Sequence, residues 1–142
     1  MNTQADYGAA LLRVTLGVAA LAHGLLLKVL TFGIPGTVGF FESLGFPPLF
    51  AYLVIFGEIA GGLALITGVY ARTAALLMVP ILLGAVMQHA PNGWVFNATG
   101  GGWEYPAFWA AASLASALIG PGAFVLRIPF LPAEPFFHAE RA

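Results

Sequence analysis

The stretch Phe56-Gly-Glu-Ile-Ala-Gly-Gly-Leu63 decides the fold, because it sets one carboxylate, Glu58, near the middle of an apolar run from about Pro48 to Val69. A run of that length can cross a bilayer, whose hydrocarbon core of about 30 Å takes roughly 20 apolar residues. A charged side chain at that depth costs about 2.5 kcal/mol or more, so it turns into a bundle or a wet cavity rather than toward lipid. On a helix advancing about 100° per residue, Gly61 and Gly62 flank the Glu58 direction one turn on, and Leu65 continues it. Small residues on that face allow a neighbouring helix to come close. A bundle packed around Glu58 is the expectation.

Composition agrees with a membrane protein. The 142 residues are 60% hydrophobic and only 8% charged, far from the balance of a soluble domain. A formal net charge of -1 with no basic run argues against nucleic acid as a partner. With no cysteine, the chain has neither a disulfide framework nor a thiolate metal site, and no metal site is expected. Electron chemistry would belong to a bound cofactor or to a partner protein.

Outward from Glu58, the chain reads as all-α: an integral membrane four-helix bundle with spans at about 7–30, 48–69, 73–89 and 104–119. Gly33-Ile-Pro-Gly36 breaks the first span, and Thr37 to Gly45 forms a short interfacial helix with Phe40 and Phe41 beside Glu42. Pro80 falls inside the third span and removes one helical hydrogen bond. Between spans three and four lies a long aromatic loop carrying Trp94, Phe96, Trp103 and Tyr105, read as an outer loop folded over the mouth of the bundle. An irregular tail follows over about 120–142. Four crossings gather Arg13, Arg72, Arg127 and Arg141 at one side against Lys28 at the other. The positive-inside rule then places both termini in the cytoplasm of a bacterial-type inner membrane.

The candidate site residues are few. Glu58 is either a buried ion-pair partner or a proton-handling group. Arg13 and His23 lie on the same half of the first span as Gly17, Ala20 and Gly24 and are the expected partners of Glu58: His23 is nearer in level, Arg13 longer in reach. Lys28 reads as an anchor snorkelling to the surface. His89 and Glu104 bound the loop and suit helix capping, and Trp94 and Trp103 complete the secondary candidates.

Taken in order, Arg13-Val-Thr-Leu-Gly17, His23-Gly24 with Lys28 behind, Gly57-Glu58 before Gly61-Gly62-Leu63-Ala64-Leu65, Gly68 through Arg72, and His89-Ala-Pro-Asn-Gly-Trp94 before Gly102-Trp-Glu-Tyr105 resemble the DoxX family. The resemblance runs from about Leu11 to Gly122. It implies a small four-helix membrane protein, some relatives being described as membrane subunits of quinone-linked oxidoreductases. Relatives usually keep His-Gly-x-x-Lys. Here Leu25, Leu26 and Leu27 separate Gly24 from Lys28, and the additional residue turns Lys28 by about 100° relative to His23 on an α-helix.

Three functions follow. The first is a membrane subunit of an oxidoreductase system that takes a quinone or another lipophilic molecule beside Glu58 and His23 and works with a soluble or membrane oxidoreductase partner. The second is a proton-coupled small-molecule carrier using Glu58. A non-enzymatic membrane scaffold for a soluble partner is the third. A homo-oligomer is compatible with all three, although the arginine bias opposes the dual-topology dimer that would give a carrier its inverted repeat.

Overall fold

The computed structural model describes residues 1–137. The end of the expected tail, and Arg141 of the arginine tally, lie outside the described residues. Within them the chain is helical without strands: α1 (Gln4–Leu21) continues into a π-helical segment (Ala22–Thr31), followed by α2 (Ile34–Ser43), α3 (Pro48–Thr67), α4 (Ala71–His89) and α5 (Glu104–Ile119). Among the described residues three stretches are long and apolar enough to cross a membrane, Gln4–Thr31, Pro48–Thr67 and Ala71–Asn92. α5 falls short of them with 16 residues, roughly 24 Å of helix at about 1.5 Å per residue.

Local chemistry sets the boundaries. Thr3 caps α1 through a capping box in which its hydroxyl oxygen accepts from the Asp6 N–H at 3.2 Å and the Asp6 carboxylate accepts from the Thr3 N–H at 2.7 Å. α3 begins at Pro48, since proline is at ease in a first turn, and ends at Gly68, whose φ of 83° is left-handed. α4 continues as one helix through Pro80.

The four long helices close a ring in which α1 lies beside α3 and α5, and α4 completes the circuit between them; α2 packs on α3 and on the π-helical segment. What they bury is mostly small: Ala9, Ala10, Ala20, Ala51, Ala74, Ala75, Ala110 and Ala117 are in the core, whereas Leu11, Phe56, Leu77 and Phe108 are more than half exposed. In lipid, packing is driven by close backbone approach rather than by hiding large apolar groups, so this distribution is what a membrane bundle requires. α3 makes the point on its own. Its buried residues Ala51, Ile55, Glu58, Gly62 and Leu65 recur in steps of four and three, a single inward stripe with the carboxylate at its centre.

Approach is closest between α1 and α3. A Cβ added at Gly17 would lie 2.8 Å from the Gly62 carbonyl oxygen, and one at Gly24 would lie 2.7 Å from the Glu58 Cβ. Gly24 is therefore level with Glu58, with no room for a methyl group between the two helices.

Candidate functional site

Glu58 is buried, with 5% of its surface exposed, and its partner is Lys28. The Lys28 Nζ lies 2.8 Å from Oε2 and donates a hydrogen bond to Oε1 at 3.0 Å. This corrects the expectation that Arg13 or His23 would pair with Glu58 and that Lys28 would reach for the surface. The reason is the winding of the backbone. From Ala22 to Thr31 the hydrogen bonds skip five residues, as in the Phe32 N–H to the Leu27 carbonyl at 2.8 Å. A π-helix turns about 80° per residue against about 100° for an α-helix, so five steps from His23 to Lys28 end about 40° past a full turn. Four α-helical steps give the same offset. The additional leucine is absorbed by wider winding, and Lys28 returns to the inner face. Thr37 of α2 supports the segment from outside, its hydroxyl donating to the Lys28 carbonyl at 2.8 Å.

Arg13 does other work at the opposite end of α3. Its side chain is fully buried and donates to the carbonyls of Leu65 and Ile66 in the last turn of α3, and to Pro121, Ala123 and Phe124 after α5. The end of α3 can be accounted for carbonyl by carbonyl. Ala64 accepts from the Gly68 N–H, Thr67 accepts from the Leu126 N–H, and Leu65 and Ile66 accept from Arg13. Arg13 is thus a C-terminal cap for α3 that also holds down the tail. Nearby, Arg72 donates to the Ala117 carbonyl at 2.8 Å at the end of α5 and lies 4.2 Å from the centre of the Phe137 ring.

His23 lies beside the pair rather than in it. Its Nδ1 is 2.9 Å from the Ala19 carbonyl, so the proton belongs on Nδ1, and its ring packs on Trp109 of α5 with centroids 4.9 Å apart. His89 and Asn92 form a separate loop clamp: His89 Nδ1 is 3.0 Å from the Gly101 carbonyl, and Asn92 Nδ2 donates to the same oxygen at 2.8 Å. Trp94 and Trp103 meet edge to face at 4.5 Å, and the Glu104 N–H donates to the Trp94 carbonyl at 3.1 Å, which closes the aromatic loop on itself. Glu104 borders a second, shallower cavity of about 710 Å³ with Trp94, Phe96, Tyr105 and Phe108. The structure therefore brings Glu58, Lys28 and His23 to one place and keeps Arg13, Glu104, Trp94 and Trp103 away from it, while His89 lines the same cavity as those three.

That place is the wall of a cleft of about 1130 Å³ between α2, α3, α4 and α5. Phe41, Phe46, Phe50, Met78 and Trp109 make it aromatic and apolar, and Lys28–Glu58 is its charged feature. The rings of Phe41, Phe46 and Phe50 form a chain, with centroids 6.2 and 5.4 Å apart. Among the described residues no group of three or more His, Cys, Asp or Glu side chains is placed to hold a metal ion.

The DoxX family model matches residues 8–96, well over half of the sequence and the part that builds the Lys28–Glu58 pair. The chain belongs to the DoxX family. This DoxX protein is also 34% identical over 87 residues to "Putative oxidoreductase CatD" of Bacillus subtilis (strain 168), a similarity that spans 61% of this chain and 63% of that protein. No solved structure matches it.

Proposed function

We propose that this DoxX protein is the membrane subunit of an oxidoreductase system and that its cleft takes a small lipophilic molecule of the quinone type. The observation that carries the reading is the Lys28–Glu58 ion pair set in the wall of an otherwise aromatic and apolar cleft. Binding sites for small molecules have this build, with an apolar body and a few placed polar groups that fix orientation. A buried ion pair is in itself a poor source of stability, and intramembrane charges are characteristic of ligand and proton paths. The name of the Bacillus subtilis relative supports the oxidoreductase half of the reading. Electrons would be exchanged with a partner protein, and the chain would lie in the inner membrane with both termini in the cytoplasm, as the grouping of Arg13, Arg72 and Arg127 favours.

The test is chemical. The protein is purified in a mild detergent, its bound lipophilic molecules are extracted and identified by mass, and a short-tailed quinone is titrated into the stripped protein. A quinone-type molecule near one per chain, or saturable binding of the added one, is the expected result. Phospholipid alone in the extract, together with no binding of the added quinone, refutes the reading.

A further inference from the structure

The second cavity, of about 710 Å³, lies where the aromatic loop meets α5, and Trp94, Phe96, Glu104, Tyr105 and Phe108 line it. Four of these walls are aromatic and one is a carboxylate. The loop builds the cavity by folding on itself. The Glu104 N–H donates to the Trp94 carbonyl and the Trp103 N–H to the Gly93 carbonyl, both at 3.1 Å, which sets Trp94 beside the first turn of α5. Two rings are held from behind, Trp94 edge to face on Trp103 at 4.5 Å and Tyr105 on Trp109 at 5.9 Å between centroids. Glu104 keeps part of its surface accessible, and among the described residues the ion pair is Lys28–Glu58, so the Glu104 carboxylate has no cation beside it.

A carboxylate is negative and so are the faces of aromatic rings, so the cavity attracts a cation and repels an anion. A metal ion fits poorly. Calcium takes about six to eight oxygen ligands, whereas this cavity offers one carboxylate, and no group of three or more His, Cys, Asp or Glu side chains is placed to hold a metal among the described residues. An organic ammonium fits both kinds of wall, its carbons lying on the rings and its charge facing Glu104. Position in the bilayer selects the molecule that carries it. The spanning stretch of α4 ends at Asn92 and α5 begins at Glu104, which puts the cavity level with the lipid headgroups. Phe108, more than half exposed, lies one turn further along α5, about 6 Å deeper at roughly 1.5 Å per residue. The cavity thus extends from headgroup level toward the acyl chains.

We infer that this cavity is a lipid site that holds the ammonium group of a zwitterionic phospholipid, with Glu104 facing the charge, Trp94, Phe96 and Tyr105 around the carbons on nitrogen, and Phe108 against the upper part of a chain. The site is separate from the cleft and independent of what the cleft binds.

The probes are dioleoylphosphatidylcholine and dioleoylphosphatidylglycerol, which share their chains and differ in the headgroup. Each is added to delipidated protein in a mild detergent, and the lipid retained is counted by native mass spectrometry. The choline lipid should be retained about fivefold better or more, the scale of a few cation–π contacts beside a carboxylate. Two variants place the preference. Glu104→Gln removes the charge and keeps the shape, and Phe108→Leu removes a ring from an exposed position, so neither disturbs the core. Glu104→Gln should abolish the preference, and Phe108→Leu should weaken retention of both lipids. Equal retention of the two lipids by the natural protein overturns the ammonium site. A preference that survives Glu104→Gln, or retention untouched by Phe108→Leu, overturns its assignment to this cavity. Excess choline chloride should leave the bound lipid in place; displacement of the lipid by choline alone overturns the lipid as occupant and assigns the cavity to a free ammonium compound.

Discussion

Replacing Gly24 by alanine should separate the π-helical segment from α3 at the level of the ion pair. The new methyl carbon would lie 2.7 Å from the Glu58 Cβ and 3.2 Å from the Ile59 backbone nitrogen, whereas ordinary contact begins near 3.4 Å. Neither neighbour is the far end of a flexible side chain, so the helices themselves must move by about 0.7 Å or more, the difference between 2.7 Å and the 3.4 Å of ordinary contact. Overpacking of this kind typically costs about 1–3 kcal/mol. The internal control is Gly8→Ala in α1, where an added Cβ meets nothing within 4 Å. There the substitution should stabilise by about 0.5–1 kcal/mol, because alanine loses less backbone freedom in a helix than glycine. The assay is equilibrium unfolding of both variants in mixed micelles with a denaturing detergent, followed by tryptophan fluorescence. Opposite signs separated by roughly 1.5–4 kcal/mol are expected. If Gly24→Ala proves as stable as Gly8→Ala, the close helix approach at Glu58 is wrong.

Arg13→Met should cost about 4–5 kcal/mol, since it strands five carbonyls at about 1 kcal/mol each; hydrogen exchange at the Ala123 and Leu126 amides checks it, and retained protection there would contradict the capping role. Deleting Leu26 should let the π-helical segment rewind as an α-helix with Lys28 still facing Glu58, leaving the folded yield unchanged, whereas inserting a further leucine should lower it; equal yields for the two would refute the winding argument. A reporter fused after Ala142 should be active only in the cytoplasm, and activity on the far side of the membrane would invert the proposed orientation.

Much of the frame was legible because lipid leaves the backbone few options. An apolar run with one central carboxylate implies a helix and an inward face, and Glu58 is indeed on the buried stripe of α3. The partner of Glu58 was not legible by the same reasoning. A helical wheel assumes about 100° per residue, and nothing in Leu25-Leu26-Leu27 announces the wider winding. The available signal was the additional residue itself, because a helix that keeps its inner face despite an insertion must overwind or underwind somewhere. The role of Arg13 is hidden for a different reason. Its reach suggests Glu58, but in an antiparallel pair Arg13 comes beside the last turn of α3, where free carbonyls attract a guanidinium more simply than a distant carboxylate does. The position of His89 at the edge of the loop is legible, but its bonds to the Gly100 and Gly101 carbonyls, which hold the loop rather than cap a helix, are not.

The reach of Arg13 across the sequence also sets an order of assembly. Its side chain is made early, in the first span, but its most distant acceptor, the Phe124 carbonyl, follows 111 residues later. At about 5–20 residues per second of synthesis, roughly 6–20 s pass before that acceptor exists. During this interval a permanent cation in an apolar helix draws on headgroups, water or the insertion machinery, and relief comes in two stages. The α3 carbonyls arrive first and favour an early α1–α3 hairpin; the segment after α5 comes last and locks it. The guanidinium thus acts as a latch that closes only when nearly the whole bundle has been delivered to the membrane.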